Sequence, residues 1–81
     1  MLRLAKKTRL KPEEATRKAV DFFGPKGYGL KVNEDSPLHA RFEGGGGIVE
    51  VTSTAEGKGT SVEIVSQEWD HQAHEFMGKL K

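Results

Sequence analysis

Four neighbouring side chains could do metal or acid–base chemistry: Asp70, His71, His74 and Glu75. On a helix, Asp70 stacks over His74 and His71 over Glu75, since each pair is four residues apart. Metal sites use that spacing, but the two pairs are rotated by about 100° from each other. Both also turn away from the apolar stripe that Trp69 begins. The expectation is a solvated helix face with carboxylate–imidazole pairs, and no metal ligands are assigned.

His39 has the right intrinsic pKa for a general base. It stands alone on a polar strand face, two residues from Arg41, with no serine at a nucleophile elbow and no cysteine in the chain. Glu43, Glu50 and Glu63 each alternate with apolar residues, as a surface ladder does. Gly44-Gly45-Gly46-Gly47 is the most conspicuous run. A phosphate loop leads its glycines into a helix N-terminus with a Lys-Ser or Lys-Thr pair nearby. These lead instead into Ile48-Val49-Glu50-Val51, a strand pattern, with Glu43 and Glu50 as the nearest charges. They predict a hairpin turn or a glycine bulge. No catalytic residue and no cofactor follow from these motifs.

The elements that position these residues are read from periodicity. Leu2, Leu4, Thr8 and Leu10 share one face of a first strand with Lys6, and Arg3, Lys7 and Arg9 share the other. A charge on the apolar face marks an edge strand or one with an end close to solvent. Pro12-Glu13-Glu14 opens a helix over 12–23, because Pro suits the first turn and acids suit the positive end of the dipole. Gly24-Pro25 stops it. Four strands follow, carried by Tyr28, Leu30 and Val32, by Leu38, Ala40 and Phe42, by Val49 and Val51 within 48–54, and by Val62 and Ile64. Glu34-Asp35-Ser36-Pro37 and Glu56-Gly57-Lys58-Gly59 read as turns.

A second helix spans 67–80, with Ser66 as its N-cap, Glu68 and Asp70 in its first turn, and Lys79 and Lys81 at its end. Trp69, Ala73, Phe76, Met77 and Leu80 make its apolar stripe. Two helices need cover, and the sheet has one apolar face to give. The predicted fold is α+β: a five-stranded antiparallel sheet in the order 2-3-4-5-1, from β-α-β-β-β-β-α, with both helices on one face. All 81 residues make one domain.

The charge is uneven. Residues 1–31 carry a net +6 and residues 32–81 a net −5. Either the basic first strand lies beside an acidic one in a cross-strand ladder, or Arg3, Lys7 and Arg9 form a basic patch for an anionic partner. A nucleic-acid sheet surface interleaves aromatics with its cations, and this strand has none. The chain has no cysteine, no apolar run of signal-peptide type and no stretch long enough to span a bilayer. A cytoplasmic, soluble protein is the expectation, with no membrane partner.

Thr8-Arg9-Leu10-Lys11-Pro12-Glu13-Glu14-Ala15 resembles the strand-to-helix junction of the START / Bet v 1-like superfamily, which has the helix-grip fold and includes polyketide cyclase-like proteins. Trp69 to Leu80 is similar to its closing helix. The resemblance covers the whole chain by topology and implies a small apolar ligand. Members are usually longer, with strands curved around a cavity. This chain has 22 large apolar residues, which two helix stripes and five strand faces use up. A ligand pocket of roughly 300 Å3 or more would strip contacts from so small a core.

The functional expectation is therefore a small binding or interaction domain without catalytic apparatus, with a homodimer or another protein as partner. The alternative is a miniature helix-grip domain taking a small apolar ligand in a groove lined by Phe22, Phe42, Trp69 and Phe76. The third is an anion or nucleic acid on the basic first strand. The sequence leaves the natural partner unknown.

Overall fold

The structure is a computed structural model and describes residues 1–80. Lys81, expected at the end of the second helix, lies outside the described residues. The elements run β1 (Leu2–Thr8), α1 (Pro12–Phe23), β2 (Lys31–Ser36), β3 (His39–Gly44), β4 (Gly47–Glu56), β5 (Gly59–Gln67) and α2 (Asp70–Lys79). The strands form one antiparallel sheet in the order β1-β5-β4-β3-β2, as the alternation predicts. Both helices pack on the same face, α1 over β3, β4 and β5, and α2 over β1 and β5.

The core lies between sheet and helices. Ala15, Ala19 and Phe23 come from α1, Ala40 and Phe42 from β3, Val49 and Val51 from β4, and Val62 and Ile64 from β5. Ala73, Phe76 and Met77 close it from α2, with Leu80 just beyond. Ala15 and Ala19 have almost no side chain, so α1 settles close to the sheet. Thr16 is buried with them, its Oγ1 2.8 Å from Ser53 Oγ of β4 and 3.0 Å from the Pro12 carbonyl oxygen. At the head of α1, the Glu14 carboxylate accepts the Lys11 amide at 3.3 Å.

Several boundaries differ from the periodicity. β2 begins at Lys31, although Tyr28 and Leu30 alternate correctly for a strand. The amides of Tyr28 and Leu30 are spent on the last carbonyls of α1, at Phe22 (3.0 Å) and Phe23 (2.9 Å), and cannot join a ladder. Leu30 still turns into the core, whereas Tyr28 is 45% exposed. At its other end β2 continues through Glu34, Asp35 and Ser36, because a bulge at Asn33 re-aims the strand. The turn is then Pro37-Leu38, and Leu38, expected inward on the next strand, sits 46% exposed at its tip.

α2 starts at Asp70, later than the expected residue 67. Pairing of β4 with β5 persists to Ile48 opposite Gln67, so Ser66 and Gln67 are strand residues. Glu68 turns the chain with φ +70°, and Trp69 rather than Ser66 is the N-cap residue. Ser66 faces inward and donates to Asp70 Oδ1 at 3.1 Å. Likewise β1 ends at Thr8 rather than residue 10.

The glycine run is a hairpin. Gly44 pairs with Gly47, and Gly45 and Gly46 make a two-residue turn with φ +58° and +81°. Gly47 is needed for close approach, since a Cβ there would lie 2.0 Å from the Gln67 carbonyl oxygen.

Lys6 has a role that periodicity does not show. Its face is the inner one, and Nζ donates to the carbonyls of Met77 and Leu80, each at 2.8 Å. The charge interrupting the apolar face of β1 thus satisfies the C-terminal end of α2.

Candidate functional site: an aromatic groove between the helices

Six aromatic rings form a connected ribbon from the core to the surface. Phe42 meets Phe23 at 5.6 Å between centroids, and Phe23 meets Phe76 at 5.6 Å. Phe76 meets Phe22 at 5.5 Å, and Phe22 meets Tyr28 at 5.3 Å, edge-on. Tyr28 meets Trp69 at 5.9 Å, also edge-on. Such tilted and edge-to-face contacts are the favoured ring geometries.

Each outer ring is fixed by a polar handle. Trp69 Nε1 donates to the Gly44 carbonyl at 2.8 Å, which seats the indole on the glycine hairpin. Gly45 lies beneath it, where a Cβ would be 3.0 Å from Trp69 Cζ2. The Tyr28 hydroxyl donates to Glu75 Oε1 at 2.6 Å, tying the loop after α1 to α2. That bond to a carboxylate, with lesser help from desolvation and the Glu75 charge, raises the phenol above its ordinary pKa.

Where the ribbon surfaces, a groove lies between α1 and α2. One stretch, about 280 Å3, is lined by Lys18, Asp21, Phe22, Phe76, Lys79 and Leu80. The next, about 260 Å3, is lined by Asp21, Phe22, Gly27, Tyr28, Glu75 and Lys79. The two share Asp21, Phe22 and Lys79, so they are one trough that passes the Phe22 ring. Lys79 Nζ stands 5.3 Å from the centroid of that ring, a cation over a π face. Of the expected groove residues, Phe22 and Phe76 line the trough. Phe42 is fully buried beneath it, and Trp69 stands beyond Tyr28. Tyr28 and Lys79 also line it; the strand pattern around Tyr28 masks that role in the sequence.

A larger depression, about 550 Å3, lies between the outer flank of α1 and the β2–β3 turn. Glu13, Arg17, Asp21 and Asp35 are among its walls, with only Val20 and Pro37 as sizeable apolar side chains. No aromatic ring lines it, in contrast to the trough.

The outer face of the sheet is polar. Arg3 bridges to Glu63 at 3.1 Å and Lys7 to Glu56 at 3.0 Å, so the cross-strand ladder exists. Arg9 lies past the end of β1 and is exposed. No Phe, Tyr or Trp lies on this face among the described strands. His39 Nδ1 is 2.6 Å from Glu34 Oε2 and Nε2 is 3.0 Å from Glu50 Oε2. The hydrogen bond to Glu34 raises the imidazole pKa most, desolvation opposes it, and Glu50 adds to the rise. Each ring nitrogen is thus occupied by a carboxylate of the protein's own sheet. The imidazole straps β2 and β4 across β3.

His71 and His74 are exposed on α2. The acids near them are engaged elsewhere, Asp70 with Ser66 and Glu75 with Tyr28. Among the described residues, no group of three or more metal-ligating side chains is arranged to hold an ion. Among the described residues, no helix is long and apolar enough to cross a membrane. Against protein-family models, curated proteins and solved structures, the chain finds no match.

Proposed function

We propose that this domain is a non-catalytic interaction module that docks a partner protein through the trough between α1 and α2. The occupant is a short segment presenting one apolar anchor side chain. What carries the reading is the course of the aromatic ribbon. Phe22 and Phe76 leave the core and form the wall of an open groove, with Lys18 and Lys79 on its banks. At about 280 and 260 Å3 the two stretches each lie just under the range of small-molecule pockets, roughly 300–1,000 Å3, and suit a single side chain. Aromatic anchor sites ringed by charged rims are the usual form of interface hot spots.

Selection of a displayed peptide library on the full chain tests this. Enriched peptides should share an apolar anchor and shift the amide resonances of Phe22, Phe76 and Lys79. Phe22→Ala, checked for a native circular dichroism spectrum, should abolish their binding. Failure to enrich any peptide, or peptides that bind Phe22→Ala unchanged, would remove the reading.

A second reading takes a small apolar ligand in the same trough, as the helix-grip resemblance implies. Its support is the contact of Trp69 with Tyr28 at the groove mouth, which makes the indole a reporter of occupancy. Fatty acids or flavonoids added to the protein would then shift Trp69 fluorescence. No shift at saturating ligand disposes of it.

A further inference from the structure

The two edges of the sheet are not alike. β2 is broken by the bulge at Asn33 and carries Glu34 and Asp35. β1 is regular, in unbroken register with β5 from Leu2 opposite Ser66 to Thr8 opposite Thr60. Among the described residues no strand pairs with its other side. An open ladder of this kind is a template for an added strand. We infer that the free edge of β1, over Leu2–Lys7, accepts an extended segment of a partner protein in which acidic and apolar residues alternate.

Charge and face specify that occupant. Arg3 and Lys7 point to the outer face, where their side chains are 67% and 79% exposed even though each touches a glutamate of its own sheet. Leu2 and Leu4 point to the inner face and are only half-buried, so an incoming strand with apolar residues there would complete their cover. β5 shows that β1 pairs with this pattern, because Val62 and Ile64 oppose Lys6 and Leu4 inward while Glu63 opposes Ala5 outward. The far edge of β1 presents the same side chains in the same alternation.

A second copy of this chain does not fit. A two-fold antiparallel β1–β1 pair over all seven residues centres on Ala5. It sets Arg3 opposite Lys7 twice, and like charges directly opposed are destabilising. An acidic strand turns both contacts into attractions.

The test uses the full-length, isotope-labelled protein and a blocked peptide with the sequence of residues 60–66, Thr-Ser-Val-Glu-Ile-Val-Ser. The peptide should slow hydrogen exchange at the β1 amides that point away from β5, and added salt should weaken it. The same peptide carrying Glu63→Lys should bind about tenfold more weakly, which is about 1.4 kcal/mol. Lys7→Glu in the protein should weaken the native peptide in the same direction. Unchanged β1 exchange at millimolar peptide, or equal binding of the two peptides, overturns the inference. So does a concentration-dependent dimer with β1 protected, which would make the occupant a second copy. Shifts confined to Phe22 and Lys79 would assign the peptide to the helix trough, sinking this inference and leaving the trough reading intact.

Discussion

Replacing Lys6 with methionine isolates the contact between the edge strand and the end of α2. Met keeps the length of the lysine stem, so the apolar contacts on the inner face of β1 persist. Two donations to carbonyls, at 2.8 Å each, are lost. Hydrogen bonds to a charged group contribute about 1.5–3 kcal/mol each, and the half-buried setting of Lys6 favours the low end, about 3 kcal/mol for the pair. Freezing a lysine side chain costs up to about 2 kcal/mol. The cation at a helix C-terminus returns about 0.3–1 kcal/mol. The net loss on Lys6→Met is therefore about 2 kcal/mol, or a fall in Tm of about 8–16 °C for a domain this size. Urea unfolding should show a lower midpoint at unchanged slope, and exchange protection should fall first in the last turn of α2. Lys6→Gln, which can donate without charge, should lie between the two. A variant that unfolds at the native midpoint would refute the reasoning.

Three further outcomes follow from particular contacts. His39 has a folded pKa above its free value of 6.5, so its strap stabilises fully below pH 6.5 and weakens as pH rises through the raised value. The urea midpoint of the native protein should exceed that of His39→Gln at pH 5.5, and the gap should shrink by pH 9; a constant gap contradicts the doubly bonded imidazolium. Tyr28 is the only tyrosine, so absorbance at high pH titrates it alone: the midpoint should lie above 10.0, and Glu75→Gln should lower it. Equal midpoints would mean that the hydroxyl does not bond the carboxylate. Thr16→Val leaves the buried Ser53 hydroxyl without its partner and should cost about 1–3 kcal/mol in urea unfolding. Adding Ser53→Ala should recover part of that loss, and strict additivity of the two substitutions would deny the coupling.

Much of the fold was legible because the signals are local. Pro12-Glu13-Glu14 and Gly24-Pro25 bracket α1 at its observed ends, and alternation in 38–67 places the β3–β5 meander. Errors arose where backbone amides had a better use than the period suggested. Tyr28 and Leu30 alternate like strand residues, but their N–H groups close the end of α1. Ser66 looks like an N-cap, but it is held in the ladder with β4 one residue short of Gln67. Neither competition is visible without knowing which carbonyls lie nearby.

The same distinction separates the parts of the candidate site. Phe22 and Phe76 announce themselves through helical stripes, since each belongs to a locally amphipathic segment. Tyr28 does not, because its role depends on Glu75, a residue 47 positions away on another element. Lys6 shows the limit most sharply. In sequence it is a flaw in an apolar face, and its explanation is a pair of carbonyls more than 70 positions distant. A polar residue on a predicted core face is therefore best read as a demand for a partner of opposite polarity, and helix ends are the commonest places where such partners go unmet. In this chain the inward cation of β1 meets the C-terminal carbonyls of α2, which ties that helix to the first strand. Pairing α2 with β1 and β5 leaves α1 over β3 to β5, and the trough runs between Phe22 of one helix and Phe76 of the other.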